Sequence, residues 1–339
     1  MNIFADFHHT SLYESFHLLF EKRLGHQLYR PIGMSWFDSG LWKIADFYPD
    51  PRDTAKQYLE LASSHAIDKG DYYSCYEDIP YHTPHKAVTY EQFMAMDIDI
   101  IISSIPQHWA SFERLLKVKP KAKHIAHIGN GGPGWNTCPV PNVMTSVPIP
   151  LFSKRDDQQI IYCNQEFSLD VFSPAPPSAN KWISAFAHCQ PERELWTKYK
   201  GALPDYRCFY HGVSTDDGLL PTIQDMANKM HESMWGWCVK PADGYGHVLH
   251  NFLACGRPVI VRKAQDYPYR DFLVPGENCI DLDIQSFERN VDAIRNGSLP
   301  ETYRRMREQT VRIFAEQVDF ARDAERVKAW IEHLRGGIE

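Results

Sequence analysis

A glycine-rich turn followed by an apolar helix is the clearest chemical feature of the sequence. Residues 241–261 read PADGYGHVLHNFLACGRPVIV, in which the turn from Asp243 to Gly246 precedes a predicted helix that begins at His247. The first turn of a helix carries backbone N–H groups without intrahelical acceptors, and the helix dipole favours negative charge there. The turn is therefore a predicted binding site for an anion such as a phosphate group.

The second half of the same stretch predicts structure rather than chemistry. Gly256 is expected to end the helix, and the β-branched run after Pro258 predicts a buried strand of a parallel sheet. Ligands of open α/β sheets bind beyond the carboxyl ends of the strands, which is where the turn would lie. Such turns are also ordinary connections in α/β folds, so this stretch alone leaves both interpretations open.

Strand and helix patterns alternate in two successive halves of the chain, which predicts an α/β fold with parallel sheets covered by helices. Predicted strands lie at 1–7, 97–106, 123–129, 182–188, 206–212, 234–241 and 257–263. The proline-rich segments 139–150 and 173–181 interrupt this alternation. The crossing between two domains is therefore expected between those segments.

The length, composition and charge of the chain count against several classes of function. The 339 residues are 43% hydrophobic and 23% charged, with a formal net charge of −7, and this length fits two domains. The negative balance counts against a protein that wraps nucleic acid or lies on an anionic membrane. Without a signal-peptide pattern or a long apolar run, the sequence predicts a cytoplasmic protein with no transmembrane segment. The eight cysteines form no C-x-x-C pair, so reduced buried thiols are expected.

Several histidines follow predicted strands, at the edge of the sheet where ligands bind. These histidines are His8, His9, His127, His188 and His211. The flanking Gly129, Asn130 and Gly212 would let the backbone approach a ligand. No H-x-x-x-H or H-x-H pair with acidic support occurs, so no metal is expected. The sequence also has no G-x-S-x-G, Walker A or dinucleotide-binding motif, which counts against serine hydrolases, nucleotide hydrolysis and dinucleotide redox chemistry.

The order of the motifs resembles the donor-binding region of GT-B glycosyltransferases, particularly the retaining family 4 type. That family reads Glu-Gly-Phe-Gly, a helix with a second Glu, Ala-x-Gly-x-Pro-Val-Ile, and later Gly-x-Asn-Gly. Matching residues in the main stretch and after it are Ala254, Gly256, Pro258, Val259, Ile260, Gly276 and Asn278. Upstream matches to the start of the family's second domain are Asn164, Asp170, Phe172 and Pro174. The resemblance covers mainly residues 162–283.

The resemblance implies an α/β fold of two Rossmann-like domains that face each other across a cleft. The expected acceptor-side domain is 1–160 and the expected nucleotide-sugar domain is 161–310. A terminal helix, 311–339, is expected to pack back on the first domain. The implied activity is that of a hexosyltransferase-type enzyme that moves a sugar from a nucleotide-diphosphate sugar, UDP- or GDP-sugar, to an acceptor hydroxyl. Retention of configuration is implied, with no metal or other cofactor.

The same resemblance assigns a role to each candidate residue. The expected catalytic residues are His127, Asp243 and Lys240. The expected donor-binding residues are His188, Arg193, His211, Gly212, Gly244, Tyr245, Gly246, His247, Val248 and Asn251. The expected acceptor-side residues are His8, His9, Gly129 and Asn130, and the acceptor could be a small molecule, a glycan or modified DNA.

Two departures from the family pattern keep other functions open. Asp243 and Asn251 stand where the family has two glutamates, and an amide at position 251 lacks the charge-assisted bond to the donor ribose. A non-catalytic nucleotide-binding protein of the same fold is one alternative. A phage-type enzyme that glycosylates modified DNA bases is another, although the negative charge counts against it.

Overall fold

The computed structural model describes most of the chain. The described residues are 1–6, 10–31, 87–104, 109–129, 138–147, 155–186, 193–212, 215–218, 220, 222–240, 244–266 and 270–336. The chain forms two compact units, of which the first is Met1–Phe167 with Phe320–Glu339 and the second is Ser168–Asp319. Among the helices of these residues, none has the length and apolar character needed to cross a membrane.

The first unit contains a parallel sheet of seven strands within its described residues. These strands are β1 (Asn2–Ala5), β2 (Gln27–Pro31), β3 (Ala87–Val88), β4 (Ile100–Ser103), β5 (Lys123–Ile128), β6 (Asn142–Thr145) and β7 (Gln159–Tyr162). Their order in the sheet is β3-β2-β1-β4-β5-β6-β7. The order reverses between β1 and β4, and ligands of such sheets bind at the carboxyl ends beside a reversal of this kind. The helices are α1 (Thr10–Phe16), the π-helix His17–Arg23, α2 (Tyr90–Ala95) and α3 (Trp109–Val118).

The last helix, α10 (Phe320–Gly336), belongs to the core of the first unit. Its buried face, which includes Val327 and Ile331, packs in one cluster with Ile3 of β1. Asp323 of α10 accepts hydrogen bonds from the backbone N–H and the side-chain Nδ2 of Asn164, at 3.0 and 2.8 Å. Asn164, which lies just after β7, therefore fastens α10 to the segment that leaves the sheet.

The second unit contains a parallel sheet of five strands within its described residues. The strands are β8 (Trp182–Phe186), β9 (Arg207–His211), β10 (Trp235–Trp237), β11 (Val259–Val261) and β12 (Cys279–Asp281). The helices are α4 (Arg193–Ala202), α5 (Ile223–Glu232), α6 (His247–Ala254), α7 (Lys263–Asp266), α8 (Phe287–Gly297) and α9 (Pro300–Gln317). The strand order β12-β11-β10-β8-β9 places the reversal between β8 and β10. Two parallel sheets with helices confirm the predicted α/β class.

Glycine at two positions fixes where α6 lies. A Cβ on Gly236 of β10 would approach the ring of Phe252 to 2.5 Å, so the missing side chain lets α6 pack directly on the sheet. Gly256 has a φ of 68°, and its N–H bonds to Leu253 O while the N–H of Arg257 bonds to Phe252 O. This is the hydrogen-bond pattern of a Schellman motif, which confirms that the helix stops at the predicted glycine.

Candidate functional site

The first turn of α6 has no side-chain cap. Its N-cap, Gly246, has φ 77° and ψ 61°. Within the described part of the chain, no group accepts a hydrogen bond from the backbone N–H of Val248 or Leu249. Because α6 follows β10 in a parallel sheet, this turn lies at the carboxyl edge of the sheet. The geometry can therefore bind a phosphate group through backbone donors.

The opposite side of the turn is held by a buried cation. Nη2 of Arg270 donates to the carbonyl oxygens of Gly244 and Tyr245, both at 3.1 Å. The guanidinium also lies 5.6 Å from the centroid of the Tyr245 ring. Arg270 is 4% exposed, so these contacts form away from water, where hydrogen bonds to a charged donor are strong.

A neutral histidine completes this support. The ring of His250 stacks on that of Tyr245, and its Nδ1 lies 3.0 Å from the carbonyl oxygen of Gly246, to which it donates. Burial, together with the charge of Arg270, lowers the pKa of His250 to about 3. The imidazole therefore stays neutral near pH 7, with its single proton on Nδ1. Neither His250 nor Arg270 was among the residues that the sequence predicted for the site.

Asn251 is a buried amide whose side-chain oxygen lacks a hydrogen-bond partner. The residue is 2% exposed, and its Oδ1 bonds to no group among the residues that the structure describes. An unsatisfied buried polar atom is costly, so it calls for a partner such as a water, an ion or a ligand. A ligand hydroxyl that donates to this oxygen would satisfy it. Asp243, the other departure from the family pattern, lies outside the described residues.

Lys240 lies beside the turn, just after β10. Its backbone N–H donates to Oδ2 of Asp266 at 3.1 Å, and Asp266 forms a buried ion pair with Arg262 at 2.8 Å. The carboxylate thus fixes the chain at the point where Lys240 leaves the sheet. The position follows β10, which borders the reversal of strand order.

The end of β9 carries His211 and Gly212. The imidazole of His211 stacks on Phe186 and Phe209, with centroid distances of 5.6 and 5.9 Å. Burial lowers the pKa of His211, although the charge of Asp217 acts in the opposite direction. Gly212 follows with a φ of 148°, a conformation that favours glycine. His188, the matching residue after β8, lies outside the described residues.

Arg193 is the first residue of α4, and its charge is shared with a carboxylate. Its Nη2 lies 2.8 Å from Oδ1 of Asp216, and about half of each side chain is exposed. Lys200 also approaches Asp216, at 3.9 Å. Exposed pairs of this kind contribute little to stability. The pair between Arg193 and Asp216 therefore adds little to the stability of the fold.

The first unit has a polar edge of its own. His127, at the end of β5, is 1% exposed, and its Nε2 lies 3.1 Å from Oγ of Ser146. The carboxylate of Asp6, just after β1, accepts a hydrogen bond from the backbone N–H of Ser104, just after β4. Asp6 and Ser104 thus flank the reversal of strand order. The sequence did not single out either residue, because both lie inside the predicted strands 1–7 and 97–106, which extend further than β1 and β4 do.

Three acceptor-side predictions cannot be compared with this edge. His8, His9 and Asn130 lie outside the described residues. Gly129 is described and buried, directly after β5.

Thiol and metal chemistry receive no support from the described residues. Burial raises the pKa of Cys138 and Cys208 to about 11, and that of Cys255 and Cys279 to about 12. Such thiols are poor nucleophiles near pH 7. No group of three or more His, Cys, Asp and Glu side chains in the described part of the chain is placed to hold a metal ion.

Comparison with known proteins identifies the fold. No protein-family model matches the sequence, and no curated protein sequence matches it. The structure is similar to that of Anabaena HepE in complex with UDP-glucose, with a TM-score of 0.65, 11% identity, and coverage of 98% of this chain and 99% of that chain. It is also similar to sucrose-phosphate synthase from Thermosynechococcus elongatus, with a TM-score of 0.64, 12% identity and 98% coverage of each chain.

A third similar structure is that of TarM from S. aureus, solved in complex with UDP. Its TM-score is 0.55 at 11% identity, over 68% of this chain and 55% of that chain. These neighbours are GT-B glycosyltransferases, so the chain has the GT-B fold that the sequence predicted. The assignment to family 4 stays a prediction.

Proposed function

We propose that the protein is a glycosyltransferase that moves a sugar from a nucleotide-diphosphate sugar to an acceptor hydroxyl. The observation that carries this proposal is the uncapped first turn of α6, whose N–H groups lie at the carboxyl edge of the second sheet. Similarity to a structure that holds UDP-glucose supports a sugar nucleotide as the anion. UDP- and GDP-sugars are the donors that we expect.

The diphosphate would bind at the turn from Gly244 to Val248. As the bond between the sugar and the phosphate breaks, negative charge builds on the departing diphosphate while the sugar becomes oxocarbenium-like. Backbone N–H groups that are already oriented stabilise this charge without reorganisation. Lys240, beside the turn, would add a positive charge, and Arg193 would exchange Asp216 for the diphosphate. Retention of configuration and independence from a metal are part of the proposal.

The nucleoside would extend along the sheet edge from the diphosphate. Asn251 would accept a hydrogen bond from a ribose hydroxyl through its unpartnered Oδ1. Gly212, at the end of β9, would let the base approach the backbone, with the neutral ring of His211 beside it. The acceptor would bind at the polar edge of the first unit, where His127 and Asp6 lie.

A thermal-shift screen over UDP-, GDP-, ADP- and CDP-sugars tests this proposal. A donor present at a hundred times its Kd stabilises the folded protein by about 2.7 kcal/mol, which raises Tm by several degrees. We expect such a shift with one nucleotide class, followed by transfer to an acceptor in a panel of sugars and glycans. No shift with any donor would contradict the proposal. Binding without hydrolysis or transfer would instead favour the non-catalytic alternative.

A further inference from the structure

Three carbonyl groups of the glycine turn before α6 have buried hydrogen-bond donors. The carbonyl oxygens of Gly244 and Tyr245 both accept from Nη2 of Arg270, and that of Gly246 accepts from the backbone N–H and Nδ1 of His250. All three acceptors therefore point toward donors that are buried in the protein.

A planar trans peptide fixes where the neighbouring N–H groups point. In each such unit the N–H is directed opposite to the C=O, and the chain contains no cis peptide bond among its described residues. The N–H groups of Tyr245, Gly246 and His247 therefore point away from Arg270 and His250. Backbone N–H groups of such a turn bind anions together with those of the following helix N-terminus, and the N–H of Gly246 lies next to the first turn of α6.

The segment that carries Arg270 is itself held in place. Asn278 is fully buried, and it bonds through Nδ2 to Phe272 O and through Oδ1 to the N–H of Val274. The ring of Phe272 in turn contacts His250 edge to face, with centroids 5.6 Å apart. These contacts fix the backbone of the segment that follows Arg270 and thereby the position of Arg270.

We propose that Arg270 is a positioning residue for the donor diphosphate, acting through the backbone of the turn rather than by contact with the ligand. By holding the carbonyls of Gly244 and Tyr245, it fixes the turn so that the N–H group of Gly246 faces the phosphates. This inference rests on the proposed function. It predicts that loss of Arg270 weakens binding of the phosphates and leaves binding of the nucleoside unchanged.

Paired titrations of Arg270→Lys with UDP and with uridine test this inference. Lysine keeps the charge but cannot bond both carbonyls with the geometry of a guanidinium. We expect the affinity for UDP to fall about tenfold, as one strong hydrogen-bonding group is lost, while the affinity for uridine is unchanged. If the thermal-shift screen shows binding of a GDP-sugar instead, GDP and guanosine take the place of UDP and uridine in these titrations.

Arg257→Lys is the matched control. Arg257 is also a buried arginine, and its Nη2 donates to the carbonyl oxygens of Pro176 and His231, away from the turn. Its replacement should lower Tm without changing the ratio of the UDP and uridine affinities. A merely structural role for Arg270 would give the same result as this control.

A second variant keeps the test decisive if Arg270→Lys fails to fold. His250→Phe preserves an aromatic ring on Tyr245 but removes the Nδ1 proton that is donated to Gly246, so UDP affinity should fall and uridine affinity should not. An unchanged ratio of UDP to uridine affinity in the folded variants would overturn the inference. Failure of the wild-type protein to bind any nucleotide would reject the proposed function instead.

Discussion

The imidazole of His250 stacks on the phenol ring of Tyr245, with ring centroids 4.1 Å apart and 9° between the planes. The two residues belong to different parts of one motif, since Tyr245 lies in the glycine turn and His250 lies in α6. Their contact ties the turn to the helix whose first N–H groups form the candidate anion site. The turn and the helix are therefore expected to respond to mutation as one unit.

Gly246→Ala should weaken donor binding more than it destabilises the protein. A φ of 77° costs a residue with a Cβ about 1 kcal/mol, and relief of this strain would reorient the N–H groups of the turn. We expect a loss of donor affinity of at least about tenfold in titration calorimetry. Gly246→Val should be more severe.

Gly25→Ala is the control for this backbone strain. Gly25 has a φ of 66°, lies in the first unit, and has open space around the position of a Cβ. It should lose a similar amount of stability and bind the donor normally. Equal donor affinity in the Gly246→Ala and Gly25→Ala variants would count against the anion site.

Asn251→Ala should lower donor affinity with little effect on stability. The Oδ1 of Asn251 has no hydrogen-bond partner among the described residues, so its removal breaks no bond in the unliganded protein. Asn290→Ala is the matched control, because Nδ2 of Asn290 donates to Leu282 O at 3.0 Å and to the Tyr199 hydroxyl at 3.2 Å. That control should lose about 1–3 kcal/mol of unfolding free energy and keep its donor affinity. The opposite pattern, with Asn251→Ala the less stable variant and donor binding intact, would show that Asn251 is structural.

Gly236→Ala should destabilise the second unit. The added methyl group would meet the ring of Phe252 at 2.5 Å, and overpacking of a buried site costs about 1–3 kcal/mol. Gly201→Ala is the control, because Gly201 lies in α4 with open space where the methyl group would be added, and alanine should stabilise that helix by up to about 1 kcal/mol. Urea denaturation measures both changes. A Gly236→Ala variant as stable as the wild type would mean that α6 does not pack so closely on β10.

The stability of the first unit should fall in mild acid because of His124. Burial lowers the pKa of His124 from 6.5 to about 4, and its Nε2 lies 2.8 Å from Oγ of Ser103. The unfolded chain therefore takes up the proton first as the pH falls. Stability is full above about pH 6.5 and is lost between 6.5 and about 4.

His124→Gln removes this titration while keeping a polar side chain. The slope of unfolding free energy against pH in that window should decrease by up to about 1.4 kcal/mol per pH unit. His333→Gln, at an exposed position of α10, serves as the control for the histidine-to-glutamine substitution itself. Denaturation in urea at several pH values gives these slopes. Identical slopes for His124→Gln and the wild type would contradict the assignment.

Local patterns in the sequence predicted the fold and the bounds of the helix that follows the glycine turn. The glycines at 246 and 256 mark the two ends of α6 because the backbone has a positive φ at both positions, which a residue without a Cβ adopts without strain. The parallel sheets followed from β-branched runs that alternate with helical periods. Such signals act over a few residues, so they can be recognised without knowledge of the tertiary structure.

The contacts that hold the site could not be predicted in the same way. Arg270 bonds to carbonyls that lie 25 and 26 residues earlier in the chain. Every residue has a backbone carbonyl, so the sequence does not indicate which ones a distant arginine will bond. Arg257 is a similar case. It is fully buried and bonded to carbonyl oxygens, whereas an arginine in a sequence normally predicts a surface position. Asp6 directly follows β1, but the strand predicted over 1–7 places His8 and His9 at the edge of the sheet instead, because strand ends are set by tertiary contacts.

A crystal structure of the protein with bound UDP tests the central claim most directly. The proposed function predicts the diphosphate at the first turn of α6, with phosphate oxygens about 2.7–3.2 Å from the backbone nitrogens of Val248 and Leu249. The ribose should lie within hydrogen-bond distance of Asn251. A nucleotide bound elsewhere, with the turn before α6 empty, would contradict the claim.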